Sequence, residues 1–135
     1  PAYVSTVQAW SPEVELGSGL HVDTAAVGEA ARDADGMRYL PVRLDWRIAE
    51  QPAADLKVSV RLVDAGGATV SQTDDDPIGP LLPLTTWQPG DEKPGYFVLE
   101  IAPEVAPGQY TLAVQVYDPA SGAPVGGAEI GTVEI

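Results

Sequence analysis

The 135-residue sequence contains no cysteine and one histidine, His21. The absence of cysteine excludes disulfides, zinc–thiolate sites and thiol nucleophiles, and it leaves the redox compartment open. Ser18 and Asp23 flank His21 along the chain, but no Ser-His-Asp set is apparent. Because neither a cysteine nor a second histidine could act beside it, His21 is predicted to be structural or exposed rather than catalytic.

Basic residues are also scarce. The chain has seven lysines and arginines and 20 aspartates and glutamates, which gives a formal net charge of −13. All seven basic residues lie in the segment from Arg32 to Lys93. Such a charge repels phosphate backbones and anionic lipid headgroups. We therefore expect no nucleic-acid partner and no membrane contact by this segment.

Long apolar runs are missing as well. No stretch approaches the roughly 18 apolar residues of a membrane helix, and no signal peptide is recognisable. The chain starts at Pro1 and its one methionine is Met37, so we expect a segment of a longer protein. Its length fits a single domain, residues 1–135, which can bury about two thirds of the surface that the unfolded chain exposes.

The sequence does contain a repeated alternation of apolar and polar residues, which is typical of strands with one solvated face. Every even-numbered residue of 40–48 is apolar, with Trp46 in the middle of the run. Residues 56–62 repeat the pattern, and Gly66-Gly67 then supplies the turn of a hairpin that returns through 68–73.

Further strands are predicted on both sides of this central region. Residues 97–101 and 110–116 alternate in the same way, and 127–135 alternates with a disturbance at Gly131 that predicts a β-bulge. Near the N-terminus, residues 3–10 and 20–27 can be extended, whereas 28–36 is predicted to be a loop or at most one helical turn.

Short strands, Gly/Pro turns and no helical period predict an all-β fold, an antiparallel immunoglobulin-like β-sandwich of about seven to nine strands. Trp46 is placed as the core tryptophan of such a fold. Pro107-Gly108 directly before Tyr110 predicts a tyrosine corner, in which the tyrosine hydroxyl bonds to upstream backbone. The topology of residues 1–37 is left open.

Residues 74–94 form a long Pro-rich stretch with no period of their own. Loops beyond about 12 to 15 residues in compact domains are usually functional, disordered or ordered by their own packing. Five prolines restrict the backbone here, and several residues offer apolar surface: Ile78, Leu81, Leu82, Leu84 and Trp87. We therefore predict a crossover between two sheets that lies flat on the sandwich.

Four short motifs made mostly of turn residues follow one another within residues 38–125. The first motif is Gln-x-Asp followed by Pro and Gly, and the second is Trp-x-Pro-Gly-acid. Pro-Gly-x-Tyr and Tyr-Asp-Pro-x-x-Gly follow in that order. The residues that make up these motifs are Gln72, Asp74, Pro77, Gly79, Trp87, Pro89, Gly90, Asp91, Pro107, Gly108, Tyr110, Tyr117, Asp118, Pro119 and Gly122. This order resembles the β-sandwich domain at the extracytoplasmic C-terminal end of large membrane-bound glycosyltransferase-like proteins of bacteria. The resemblance implies a non-catalytic accessory module. The chain departs from that family at Gly95, where the family often has an acid.

Two groups of residues are candidate sites. Asp74, Asp75 and Asp76 could hold Ca²⁺, because a cation would relieve their mutual repulsion; a solvated turn is the alternative, which the acidic charge pattern favours. No other cofactor is expected. A second group could form a platform for sugar stacking, with packing against the sheets as the alternative. Its members are Trp87, Tyr96, Tyr117 and Trp10.

The leading hypothesis is a non-enzymatic accessory domain of a larger cell-envelope protein, in an extracytoplasmic location. It would have a binding or structural role, with glycan or another domain of the parent protein as its partner. Two alternatives stay open, a small glycan-active hydrolase with paired carboxylates and a calcium-stabilised adhesion module. With 20 acidic residues in the chain, the sequence assigns no particular carboxylate pair and no catalytic residue.

Overall fold

The computed structural model describes residues 6–51, 55–77 and 86–135. Ten strands form in these residues, and all their pairings are antiparallel. They are β1 (Thr6–Trp10), β2 (Val14–Glu15), β3 (Leu20–Gly28), β4 (Ala31–Arg32), β5 (Arg38–Ile48), β6 (Lys57–Val63), β7 (Thr69–Asp75), β8 (Glu92–Ile101), β9 (Gln109–Tyr117) and β10 (Pro124–Glu134).

The strands make two sheets. In the first sheet β8 pairs along one edge of β5, while β3 and the short β4 share the other edge of β5, and β1 and β2 pair with β3. The second sheet has the order β10–β9–β6–β7. The predicted antiparallel β-sandwich is confirmed. The strands number ten rather than seven to nine because β2 and β4 are additional strands of only two residues each.

The alternation of the sequence decides which side chains enter the core. Along β5 buried and half-buried residues alternate without interruption, and Trp46 is 1% exposed. The inward residues of both sheets pack into one apolar cluster, and each fully buried large side chain contributes roughly 1.5–3 kcal/mol through the hydrophobic effect. In the described part of the chain no helix is both long and apolar enough to cross a bilayer.

The predicted hairpin and the predicted bulge are both present. β6 and β7 pair around the Gly66-Gly67 turn, where Asp64 Oδ1 accepts hydrogen bonds from the backbone N–H groups of Gly66 and Ala68 at 2.9 Å each. The register of β9 with β10 shifts between Glu129 and Gly131. A Cβ atom at Gly131 would lie 2.2 Å from Trp10 Nε1, so this glycine leaves the space in which the Trp10 indole packs.

The tyrosine corner is also as predicted, since the Tyr110 hydroxyl donates to the carbonyl oxygen of Ala106 at 2.6 Å. The prediction for residues 28–36 was incomplete. β4 lies within this segment and pairs with the start of β5, and a turn at Asp33 follows it. A two-residue strand is too short for the period of two to reveal it.

The crossover between the sheets is shorter than predicted, because β7 continues to Asp75 and β8 begins at Glu92. It runs from 76 to 91, and its described ends are packed, with Pro77 and Trp87 both buried. At its end, Gly90 N–H donates to the Ile48 carbonyl at 2.8 Å, and Ile48 N–H donates to the Asp91 carbonyl at 3.2 Å. The predicted apolar contacts of Ile78, Leu81, Leu82 and Leu84 lie outside the described residues.

Candidate functional site

The outer face of the second sheet carries a group of polar side chains. Because Val58, Val60 and Leu62 of β6 point into the core, the residues between them point outward. The pairing of the strands then places Ser59 between Gln115 of β9 and Asp74 of β7. It likewise places Lys57 opposite Tyr117, and Arg61 opposite Gln72.

These outward residues line a shallow depression of about 400 Å³. Its lining residues are Arg61, Asp74, Gln115, Tyr117, Gly122 and Pro124. Gly122 lies in the connection between β9 and β10, and Pro124 is the first residue of β10; the two form one border of the depression. The opposite partner of Gln115 on β10 is Gly127, which has no side chain to fill the space beside it. The depression therefore combines one aromatic ring with amide, guanidinium and carboxylate groups.

A hydrogen-bond network fixes the polar side chains of this depression. Asp74 Oδ2 accepts from the Tyr117 hydroxyl at 2.9 Å, and Asp74 Oδ1 accepts from Gln72 Nε2 at 2.8 Å. Arg61 Nε donates to Ser59 Oγ at 3.0 Å, and the Ser59 side chain is buried beneath these groups with 1% of its surface exposed. The network orders both ends of the depression before any ligand is bound.

The network also shifts two pKa values. Partial burial acts to raise the pKa of Asp74, but hydrogen bonds from Gln72, Tyr117 and Ser59 outweigh it, and the pKa of this carboxyl group lies below 3.8. Burial and the hydrogen bond to Asp74 raise the pKa of Tyr117 above 10.0. At neutral pH the pair is therefore a charged carboxylate that accepts a hydrogen bond from a neutral phenol.

The four aromatic candidates do not form one platform. Trp87 is 1% exposed and belongs to the core, and Trp10 is half-buried against Gly131 where β1 meets β10. Tyr96 is 52% exposed but lies on the outer face of the first sheet, opposite Arg43. Of the four, Tyr117 alone lines the depression. Packing against the sheets, the alternative left open by the sequence, describes Trp87 and Trp10.

The three consecutive aspartates do not converge on one point. Asp74 is held by Tyr117 and Gln72, Asp75 Oδ1 accepts from the backbone N–H of Asp76 at 2.7 Å, and Asp76 Oδ1 lies 2.9 Å from Lys57 Nζ. Asp74 and Asp75 belong to strand β7 rather than to a turn, and neighbouring side chains of a strand point to opposite faces. Within residues 6–51, 55–77 and 86–135, no group of three histidine, cysteine or acidic side chains could hold a metal ion.

A second depression, of about 370 Å³, lies on the first sheet and is rich in acids. Its lining includes Asp23, Asp45 and Glu92. Asp23 is bonded to Arg47 through two hydrogen bonds of 2.7 and 3.2 Å. Asp45 accepts a hydrogen bond from the Thr24 hydroxyl and has the Arg43 guanidinium 3.4 Å away. Two of the three carboxylates that line this depression are therefore held in ion pairs.

Sequence reasoning named Tyr117 and Asp74 but missed three members of the site: Arg61, Ser59 and Gln115. The signal that could have found them is the alternation itself, since all three occupy outward positions between buried residues of β6 and β9. His21, which was predicted to be structural or exposed, is half-buried on β3 opposite Arg47.

No family model and no curated protein matches the chain. Among solved structures, it is similar to part of a β-glucuronidase from glycoside hydrolase family 2, with a TM-score of 0.62, 13% identity and 82% of this chain covered. The chain spans 11% of that enzyme's length. It is also similar to the C-terminal domain of Wzt, with a TM-score of 0.59 and 10% identity, covering 93% of this chain and 83% of that one. These similarities show the β-sandwich fold.

Proposed function

We propose that this chain is a non-catalytic accessory domain that binds glycan in the depression on the outer face of the second sheet. The observation that carries the proposal is the arrangement of Tyr117, Asp74, Arg61 and Gln115 around one depression. Planar polar groups can bond the hydroxyl groups of a sugar, and an aromatic ring can cover its apolar face.

The order already present in the depression supports a binding role. The Tyr117 side chain is fixed by its hydrogen bond to Asp74 on β7, and the Arg61 side chain by its hydrogen bond to the buried Ser59. Side chains that are fixed before binding lose less conformational entropy when a ligand arrives, which improves affinity. An exposed sheet face that served only for solubility would not need a buried serine beneath its arginine.

Three further observations support the proposal without deciding it. One structural neighbour is a glycoside hydrolase and another is the C-terminal domain of Wzt, although identities of 13% and 10% carry the fold alone. The order of turn motifs resembles an extracytoplasmic domain of glycosyltransferase-like proteins, which supports a parent protein in the cell envelope. The ion pairs of Asp23 and Asp45 count against hydrolysis by these two carboxylates in the depression of the first sheet.

A glycan array of bacterial cell-surface oligosaccharides tests the proposal. The protein, Tyr117→Ala and the matched variant Tyr96→Ala are applied side by side, because Tyr96 is an exposed tyrosine of the opposite sheet. We expect the Tyr117 variant to lose at least about tenfold in affinity, the equivalent of about 1.4 kcal/mol, and the Tyr96 variant to bind as tightly as the unsubstituted protein. Absence of glycan binding by the unsubstituted protein, or equal losses in both variants, would overturn it.

Location and context need a separate experiment on the parent protein. A topology reporter fused next to this domain in the full-length protein is expected to be active only outside the cytoplasm. If the reporter placed the domain in the cytoplasm, the proposed location in the cell envelope would be wrong. The glycan-binding proposal would then depend on the array alone.

Docking on a neighbouring domain is a second candidate, favoured by one exposed apolar pair on the first sheet. Tyr96 and Val98 are adjacent outward residues of β8, and they are 52% and 51% exposed. Hydrogen exchange of this domain alone and within the parent protein checks the candidate. Added protection confined to β8 would support docking there, and unchanged exchange along β8 would dismiss it.

A further inference from the structure

We infer that the depression of the second sheet selects an electrically neutral sugar with neighbouring hydroxyl groups over acidic sugars. This inference rests on the proposed glycan-binding function and adds the chemical class of the ligand. It is carried by the charge balance of the site and by the kinds of hydrogen-bonding groups that face the depression.

The charges on this face cancel locally. Lys57 and Asp76 form an ion pair of 2.9 Å, and the positive charge of Arg61 lies close enough to Asp74 to help to lower the pKa of that carboxyl group. Two cations therefore face two carboxylates, and Glu129 on β10, opposite Ala113, adds one negative charge to the same face. The net charge of the whole chain is −13. A carboxylate-bearing sugar would meet no surplus of positive charge here.

Hydroxyl groups fit the hydrogen-bonding groups of the site. The Tyr117 hydroxyl gives its proton to Asp74, so its oxygen faces a ligand as an acceptor. Arg61 gives Nε–H to Ser59, and its terminal nitrogens carry donors; the Gln115 amide offers both a donor and an acceptor. A carboxylate accepts only and an ammonium donates only. A hydroxyl does both, so neighbouring hydroxyl groups can satisfy the mixed set.

The test uses two sets of oligosaccharides of equal length: neutral (gluco-, galacto-, manno- and rhamno-oligosaccharides) and oligogalacturonate. Binding is followed through the backbone amide signals of Gln115 and Tyr117 at low and high salt. We expect a neutral probe to bind with a Kd that changes by less than about twofold with salt, and oligogalacturonate to bind at least about tenfold more weakly.

Asp74→Asn sharpens the test, because it removes the charge that balances Arg61 while keeping an oxygen for the Tyr117 hydroxyl. We expect the variant to gain about fivefold in affinity for oligogalacturonate, the size of one unscreened contact charge in water. Tighter binding of oligogalacturonate than of the neutral probes by the unsubstituted protein at this site would overturn the inference while leaving the proposed function standing. Binding of none of the probes would overturn both.

Discussion

Trp46 donates its indole Nε1–H to the carbonyl oxygen of Pro77 at a distance of 3.0 Å. This hydrogen bond joins the C-terminal part of β5 to the first residues of the crossover, and it passes over Gly95 of β8. A Cβ atom at position 95 would lie 2.0 Å from the Pro77 oxygen and 2.7 Å from Trp46 Nε1. A side chain at this position has no room unless the Pro77 carbonyl moves. The hydrogen bond from Trp46 and the lack of a side chain at Gly95 therefore together fix the start of the crossover.

Gly95→Ala is expected to lower the free energy of unfolding by about 1–3 kcal/mol, since the new methyl group forces the Pro77 carbonyl away from Trp46. Urea unfolding followed by circular dichroism measures the change. Gly66→Ala is the matched control, because the nearest atom to its added Cβ, Asp64 Oδ1, is 3.4 Å away. If the free energy of unfolding of the Gly95 variant lay within about 0.5 kcal/mol of that of the unsubstituted protein, the proposed steric role would be contradicted.

Tyr110→Phe is expected to cost about 1 kcal/mol of unfolding free energy, the net value of a typical intramolecular hydrogen bond. The substitution removes the 2.6 Å bond to the Ala106 carbonyl and keeps the ring. Tyr96→Phe serves as the control, because Tyr96 is 52% exposed on the other sheet. Equal stability of the two variants in chemical denaturation would show that the tyrosine corner contributes nothing measurable.

Trp87→Ala is expected to destabilise the fold by about 3–5 kcal/mol, the range for deleting a large buried aromatic side chain. Trp87 is 1% exposed, whereas the control residue in Val98→Ala is 51% exposed and should change stability by less than about 0.5 kcal/mol. Thermal and urea unfolding provide the comparison. A near-neutral Trp87 variant would return this residue to the list of candidate ligand contacts.

Tyr117→Phe is expected to raise the pKa of Asp74 towards 3.8, because it removes one of the hydrogen bonds that hold it below that value. In the parent chain the lowered pKa stabilises the fold above pH 3.8, and this contribution is lost as the pH falls through the lower folded-state value. The variant should therefore lose less stability over that acidic interval. A carboxyl ¹³C NMR titration measures the pKa.

Tyr39→Phe is the matched control for that titration. The Tyr39 hydroxyl donates to Asp33 Oδ2 at 2.9 Å and is the main cause of the lowered pKa of Asp33. The control should raise the pKa of Asp33 and leave Asp74 unchanged. If Tyr117→Phe did not move Asp74, the hydrogen bond between Tyr117 and Asp74 would not persist in solution.

Calcium is expected to leave thermal stability unchanged. Asp76 is paired with Lys57, and the three neighbouring aspartates do not converge on one point, so no set of carboxylates is ready to surround a cation in the described residues. The melting temperature is compared in excess EDTA and in millimolar Ca²⁺. A clear rise with Ca²⁺, abolished in Asp76→Asn, would restore the calcium-stabilised adhesion module.

The candidate site shows how far sequence reasoning reached. Asp74 and Tyr117 were both named from the sequence, but as members of two different sites, a metal cluster and an aromatic platform. They are 43 residues apart in the chain and share one hydrogen bond. Trp87, placed in the platform, lies in the core, because the described end of the crossover packs its indole into the apolar cluster.

The sequence by itself determined which side of each long strand is dry, because the period of two is local and the hydrophobic effect acts on every strand separately. It also determined the hairpin at Gly66-Gly67 and the tyrosine corner at Tyr110, since each depends on a few neighbouring residues. The tertiary structure alone decided which outward residues share a face. Strand order and register join segments that are distant in the chain, and no local pattern records that Ser59 lies between Gln115 and Asp74.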